Sequence, residues 1–437
     1  MTQDNDTGQS SKDASQTPST GSYDYSDVGD LTAEDLQQLL NESKSIQGVS
    51  LYQLAWRRLR RNRRAMGSVV FLLLISAAAF FAPLLPLQSP LDKDLKNRVA
   101  KPPSMAAFQM GARKDLRFKD NSLVSELAAF RDRARQAKTE LLALRDRNAP
   151  PDAIARQEEL IAAMEQSQHP FRKLWHEPDP LTMAMCKVRV AVFGDYAIPS
   201  LFGTDQLGRD VLSRVFWGAR VSILVGIIAT MVSLAIGVSY GATAGYFGGV
   251  IDAAMMRVVD VLYSVPFIFL VIFAMTLLGE DSVRDGLQYY GIQRIHIFYV
   301  LIGAVFWLTM SRVVRGQVIS LRQEQFVEAA IAVGATPQRI IFRHLVPNVL
   351  GVVIVYLTLT IPAVMLFEAF LSFLGLGVSA PDVSWGLLVN EGVESLTPVR
   401  IFWWLVLFPG LALASTLFAL NFLGDGLRDA LDTKMKD

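Results

Sequence analysis

Six stretches of this chain are long and apolar enough to cross a bilayer, and that sets the solvent in which most of it must fold. A spanning helix needs about 20 mostly apolar residues. In lipid every backbone N–H and C=O must be satisfied within its own segment, so runs of this kind fold as helices. The runs are Met66–Leu85, Val221–Gly245, Val258–Leu278, Phe298–Val318, Val349–Phe370 and Phe402–Leu423. The expected fold is all-α: a polytopic membrane protein with six transmembrane helices. Asp260 and Arg312 sit at the ends of the third and fourth runs and make these the weakest of the six.

Basic residues orient such a chain, because they stay on the cytoplasmic side. Arg57, Arg58, Arg60, Arg61, Arg63 and Arg64 directly precede the first run, which puts the N-terminus in the cytoplasm. Six crossings return the C-terminus there. The loop after the fourth run then lies inside, and it carries Arg322, Arg339 and Arg343. Arg209, Arg214 and Arg220 fall outside, against the rule, and are expected in an interfacial segment with partners of their own. A cleavable signal sits at the extreme N-terminus. The first run follows a long polar stretch, so it is expected to remain as an anchor.

Composition removes several function classes. The chain is 51% hydrophobic and 19% charged, below the roughly 25% charged content of soluble domains. Mean hydropathy is +0.30. A net charge of +1, with no long basic tail, argues against a nucleic-acid surface. One cysteine, Cys186, permits no internal disulfide. The four histidines are scattered singly and offer no zinc pattern. No cofactor or metal is expected.

Two polar segments flank the first run. Residues 1–50 are expected to be a disordered cytoplasmic tail, since the first thirty or so are rich in Ser, Thr, Asp and Gln, with little to bury. Its LTAEDLQQLL stretch from Leu31 reads as a short helix, with Thr32 as cap and Asp35 three residues on. Residues 51–87 make the N-terminal segment and first span. Residues 88–200 form an extracytoplasmic insert, and residues 201–437 hold the other five spans. In the insert, Leu123, Leu127, Phe130, Ala134, Ala137, Leu141 and Leu144 recur by four and three, a heptad seam. Ala149–Pro151 breaks it, and Ile154, Leu160, Ile161 and Met164 mark a second helix. The expected object is an antiparallel helical hairpin. It either packs on itself or docks a partner outside the membrane.

Between the fourth and fifth runs, in a loop over 319–347, lies EAAIAVGATPQRIIFRHLVPN, from Glu328 to Asn348. Glu328–Val333 is helical by propensity. Gly334 supplies the left-handed residue that ends a helix. Thr336 caps the next one, with Pro337 at its first position, where a missing N–H costs nothing. Ile340, Ile341 and Leu345 are apolar, while Arg339, Arg343 and His344 are polar. The product is helix, tight turn, helix. It is either a rigid elbow for a soluble partner or an amphipathic loop lying on headgroups.

This segment resembles the coupling motif of bacterial ABC importer permeases. LYQLAWRRLRRNRRAMGSVVFLLL, FGTDQLGRDVLSRVFWGARVSILVG, EAFLSFLGLGVSAPDVSWG and FPGLALASTLFALNFLGDGLRDALD resemble further blocks of the dipeptide, oligopeptide and nickel subfamily, of the second-permease type. The resemblance covers about 51–90 and 202–432 and leaves the insert and the tail unmatched. It implies a type I permease fold that forms a translocation path with a second permease subunit. It implies two separate ABC ATPase subunits, an extracytoplasmic substrate-binding protein and a bacterial inner membrane. It also implies that Glu328, Ala329, Ala330, Gly334, Ala335 and Arg339 couple to the ATPase. This chain has no GxxxxGK[ST] stretch, so it lacks the phosphate cradle of an ATPase and is not expected to be an enzyme. The substrate is beyond the sequence.

Other residues carry open alternatives. Gly237, Gly241, Gly245 and Gly249 repeat every four residues and read as helix packing, the last of them past a helix end. Glu368, near Ser372, stands toward the end of the fifth run. It lines a translocation path or gate, or it pairs with Arg400 or backbone. Asp382, Ser384 and Trp385 precede the sixth run, as a binding-protein contact or as a local turn with an interfacial tryptophan. Arg428 is expected to pair with Asp425 or Asp429 near Gly424 and Gly426. An intramembrane hydrolase is disfavoured, since no histidine or aspartate pair faces across the runs. The rival function is a channel or scaffold whose hairpin docks a partner.

Overall fold

The computed structural model describes residues 51–431, apart from 94, 96–97, 103–122, 148, 168, 176–178, 195, 279, 281–282, 284–285, 288–293 and 379. The expected helix at Leu31 lies outside the described residues. The chain divides into two compact units, Met1–Leu54 and Ala55–Asp437. Of the first, only 51–54 are described, as the start of a helix.

The described residues are helical and contain no strand. α1 (Leu51–Arg61) meets α2 (Arg63–Phe80) at Asn62, whose extended backbone and side chain cap α2 at the N–H groups of Arg64 and Ala65. α3 (Leu123–Asp146), α4 (Pro151–Ser167), α5 (Pro170–Trp175) and α6 (Pro180–Phe193) form the insert. α7 (Val211–Phe247), α8 (Gly249–Ser264), α9 (Phe267–Leu278) and α10 (Arg294–Leu321) follow. α11 (Gln325–Ala332) is short. α12 (Pro337–Phe373) contains a π-helical stretch over Ile340–Leu345. α13 (Trp385–Glu394) and α14 (Trp404–Leu431) complete the chain.

Five of these helices are long and apolar enough to span: α2, α7, the Ile295–Leu321 part of α10, α12 and α14. The expected third span is not one straight helix. α8 and α9 meet at an angle of 82°. Pro266 lies at the bend, where proline cannot continue the hydrogen-bond ladder. Packing shows that the bent pair still makes a crossing. A Cβ on Gly237 would meet Met310, one on Gly241 would meet Ser311, and one on Gly245 would meet Val318, while Gly303 lies against Ala229. Residue number rises together along both helices, so α7 and α10 run parallel. The segment joining them must therefore return across the bilayer. α8 and α9 do so alongside α10, from Asp252 near Arg315 to Met275 among Phe298 and Tyr299. The two charges that weakened the third and fourth runs pair with each other, Arg312 Nη2 to Asp260 Oδ1 at 2.8 Å.

The glycine stripe works as close packing. At Gly241 a Cβ would run into the Ser311 carbonyl oxygen. Gly249 faces open space with φ +55°, past the end of α7 as expected. α7 has 37 residues, about 55 Å of helix at 1.5 Å per residue. That exceeds the roughly 30 Å hydrocarbon core, so α7 projects beyond it and its buried first turns pack against α13 and α14.

Within the insert, two of the helices form a hairpin. α3 and α4 lie antiparallel, tied by Arg145–Glu158 at 2.6 Å and Lys138–Glu165 at 3.1 Å. Every expected seam residue of α3 is buried or half-buried. On α4, Leu160 is exposed, and Gln157 takes the inward place, donating to the Ala137 carbonyl at 3.1 Å. Leu123, Leu127, Phe171, Trp175 and Cys186 then pack with Trp217 of α7. Arg189 is buried and donates to the carbonyls of Leu85 and Leu87, just past α2.

Candidate functional site

Two constellations stand at opposite ends of the helices. The first is the elbow between α10 and α12. α11 ends in a Schellman motif: Ala335 N–H donates to Ala330 C=O at 3.0 Å and Gly334 N–H to Ile331 C=O at 2.9 Å. Gly334 takes φ +82°, the left-handed conformation that costs any residue with a Cβ about 1–2 kcal/mol. Thr336 has cap backbone angles, but its side chain makes no cap hydrogen bond, so only the backbone part of the expected cap forms. The π-helical stretch closes with Val346 N–H on Ile341 C=O. It turns Ile340, Ile341 and Leu345 into a core with Val327, Val314 and Val318, and Ala330 and Ala335 pack on its edge.

That core fixes the elbow from beneath and leaves its crest bare. Glu328, Ala329, Gly334 and Arg339 are exposed. Phe326 and Ile331 are exposed as well, and Val333 is 89% exposed. The crest is apolar and rests on a buried base. Arg322 braces its foot by donating to the Tyr246 carbonyl at 2.9 Å.

The second constellation closes the other end. Arg209 and Arg214, which broke the charge rule, find partners in buried Asp205 and half-buried Glu391. Arg209 Nε meets Asp205 Oδ2 at 2.6 Å and its Nη2 meets Glu391 Oε2 at 3.0 Å. Arg214, 2% exposed, pairs with Asp205 at 2.8 Å and grips both oxygens of Glu391. Burial works against the ionised Glu391, but Arg214 and Arg209 outweigh it and hold the carboxyl below the usual glutamate range. The third arginine of that segment, Arg220, stacks over Trp217 and donates to Thr182. A cavity of about 250 Å³ opens beside the four charges, walled also by Leu388, Ser395 and Pro409.

Glu368 lies just below this closure and is fully buried. Ser372 Oγ donates to it at 2.7 Å and Ser222 Oγ approaches at 3.4 Å, with Ser384 also bonded. Arg400 is exposed and is not its partner. Ser222 also accepts from Trp385 N–H, while Ser372 accepts from Val378 N–H. Trp385 is not an interfacial anchor. It is wholly buried, its indole donating to the Val215 carbonyl at 2.9 Å. Ser384 caps α13 at Leu387 N–H. Asp425, Arg428 and Asp429 are exposed, and no ion pair joins them among the described residues. Gly426 instead seats Ala65 of α2.

The comparisons with known proteins agree with this architecture. The family described as the binding-protein-dependent transport system inner membrane component matches residues 237–437, and the N-terminal TM domain of oligopeptide transport permease C matches residues 50–103. The oligopeptide transport system permease protein OppC of Haemophilus influenzae is 48% identical over 233 residues, 53% of this chain and 70% of the relative. The chain belongs to this permease family. The permease is also 44% identical over 235 residues to the dipeptide transport system permease protein DppC of Bacillus subtilis, covering 54% of this chain and 69% of the relative. OppC of Salmonella typhimurium is 48% identical over 240 residues, 55% of this chain and 74% of the relative. The two family matches leave 104–236 between them, and that interval holds all four insert helices of the permease.

Proposed function

We propose that this permease is one of two membrane subunits of an ATP-driven importer for peptides or similar small solutes. It sits in a bacterial inner membrane with both termini cytoplasmic. The exposed apolar face of α8 and α9, with Val261, Phe269 and Phe273, is where the second permease would pack. The elbow end faces the cytoplasm and receives one of two ATPase subunits through Glu328, Ala329, Ala330, Gly334, Ala335 and Arg339. The closure end faces outward, toward a substrate-binding protein, and carries the hairpin. Glu368 and Ser372 act there as a gate: lifting α13 pulls Ser384 and Trp385 from the hydroxyl cage and opens the path beside α7 and α12.

One observation carries this reading. The crest of Ile331 and Val333 rests on a fully packed base continuous with α10 and α12. Force applied to the crest therefore reaches two spans directly. The test is co-purification from mild detergent with a candidate ATPase, comparing wild type with Gly334→Asp. The proposal expects ATPase to be retained by wild type and lost by a variant that remains folded. A wild type that holds no ATPase removes the central claim.

A further inference from the structure

The junction of α1 and α2 concentrates charge that neither the elbow nor the closure uses. Arg57, Arg60, Arg61, Arg63 and Arg64 are exposed, and the stretch 55–64 contains no acidic residue. Ala55 and Leu59 turn inward, packing with Ala65, Leu427, Ala430 and Leu431. The arginines are therefore held on the outer side of a fixed element. Asn62 breaks the helix with φ −81° and ψ +100°, so α1 does not simply prolong the span α2. It is pinned to the last turns of α14 instead, through Ala55 and Leu59 against Leu427, Ala430 and Leu431, while Gly426 seats Ala65 at the start of α2.

This fixes the height of the patch. α2 begins a span at Arg63 and α14 ends one at Leu431, so the arginines stand at the level where hydrocarbon gives way to headgroups. Trp56, exposed beside them, is the side chain type that settles at that level. Arg63 and Arg64 occupy the first turn of α2, where a cation opposes the helix dipole. Their placement is unfavourable for the helix alone. The acidic groups on the neighbouring helix end, Asp425 and Asp429, make no ion pair with them.

We propose that this patch binds the headgroups of anionic phospholipids. Planar guanidinium groups grip phosphate oxygens in pairs, and the excess positive charge favours a lipid with net negative charge over a zwitterion. A bound headgroup would hold α1 and the end of α14 against the leaflet on the elbow side.

The test counts lipids retained by the full-length permease in mixed micelles of phosphatidylglycerol and phosphatidylcholine, by native mass spectrometry. Wild type should prefer phosphatidylglycerol. Arg60→Gln, Arg61→Gln, Arg63→Gln and Arg64→Gln combined should reduce that preference by roughly five-fold per arginine. The same four positions changed to lysine should keep most of it. Arg131→Gln with Arg135→Gln on the hairpin should leave it unchanged. Should the glutamine variant fail to insert, salt decides on wild type alone, since about 1 M salt cuts the screening length to about 3 Å and should abolish the preference. Equal retention of both lipids by wild type, an intact preference in the glutamine variant, or a preference indifferent to salt would each overturn the proposal. So would a glutamine variant that loses a protein partner while keeping its anionic lipid.

Discussion

At the closure end, Asp205, Arg209, Arg214 and Glu391 turn their charges on one another inside the fold. At the elbow end, Glu328 and Arg339 stay exposed above an apolar crest. One end completes itself; the other leaves its charges and its apolar crest uncovered, where the proposed ATPase would dock. Burial of charge is tolerated where each ion has counter-ions and hydrogen bonds, and it becomes very costly once one is removed. An exposed charge contributes little to stability whatever its role. The same type of substitution should therefore read out as stability at one end and as association at the other.

The largest expected effect is at the closure. Glu391→Ala leaves Arg214 buried with half its partners gone, at a cost of about 3–5 kcal/mol. Thermal unfolding in detergent should show a large fall in midpoint. Glu328→Ala, on the elbow crest, should change stability by no more than about 0.5 kcal/mol. Equal losses at both ends would break the comparison.

Acid should find the same asymmetry. The Glu391 pKa is depressed in the fold, so its contribution is complete above the unfolded glutamate value and is lost as pH falls through the lower folded value. Unfolding midpoints measured downward from about pH 5 should drop for wild type. Glu391→Gln should start lower at neutral pH and flatten that dependence.

A smaller effect is expected at Gly334. Its φ of +82° penalises Val most and Asn least, within about 1–2 kcal/mol. Gly334→Val should loosen the elbow and lower ATPase retention more than Gly334→Asn. Gly351→Ala on α12, where a Cβ meets open space without backbone strain, should lower neither.

Much of the elbow was legible because its signals are local. Gly334 ends one helix and Pro337 starts the next within four residues. Thr336 misleads only in its side chain, because its backbone already takes the cap conformation. The bent third span was not legible, since an apolar count records length and is blind to the angle at Pro266. Partners distant in sequence were hidden too. Arg214 announces an anomaly outside the charge rule, but Glu391 lies 177 residues away. Trp385 looked interfacial because its loop is polar, and only the packed structure shows Val215 and Ser222 reaching it. The inward place of Gln157 on α4 was hidden as well, since its partner is a backbone carbonyl of α3.

The most direct measurement uses the thiol contrast between regions. Cys186 is buried, and burial pushes its thiol up to about 12, so it should ignore maleimide at neutral pH in the folded permease. A Val333→Cys variant places a thiol on the most exposed part of the crest. Its labelling rate in membranes should be high for the permease alone and fall at least ten-fold when a candidate ATPase subunit is added. An unchanged rate at Val333→Cys, with the ATPase demonstrably bound to the complex, would contradict the elbow as the docking site.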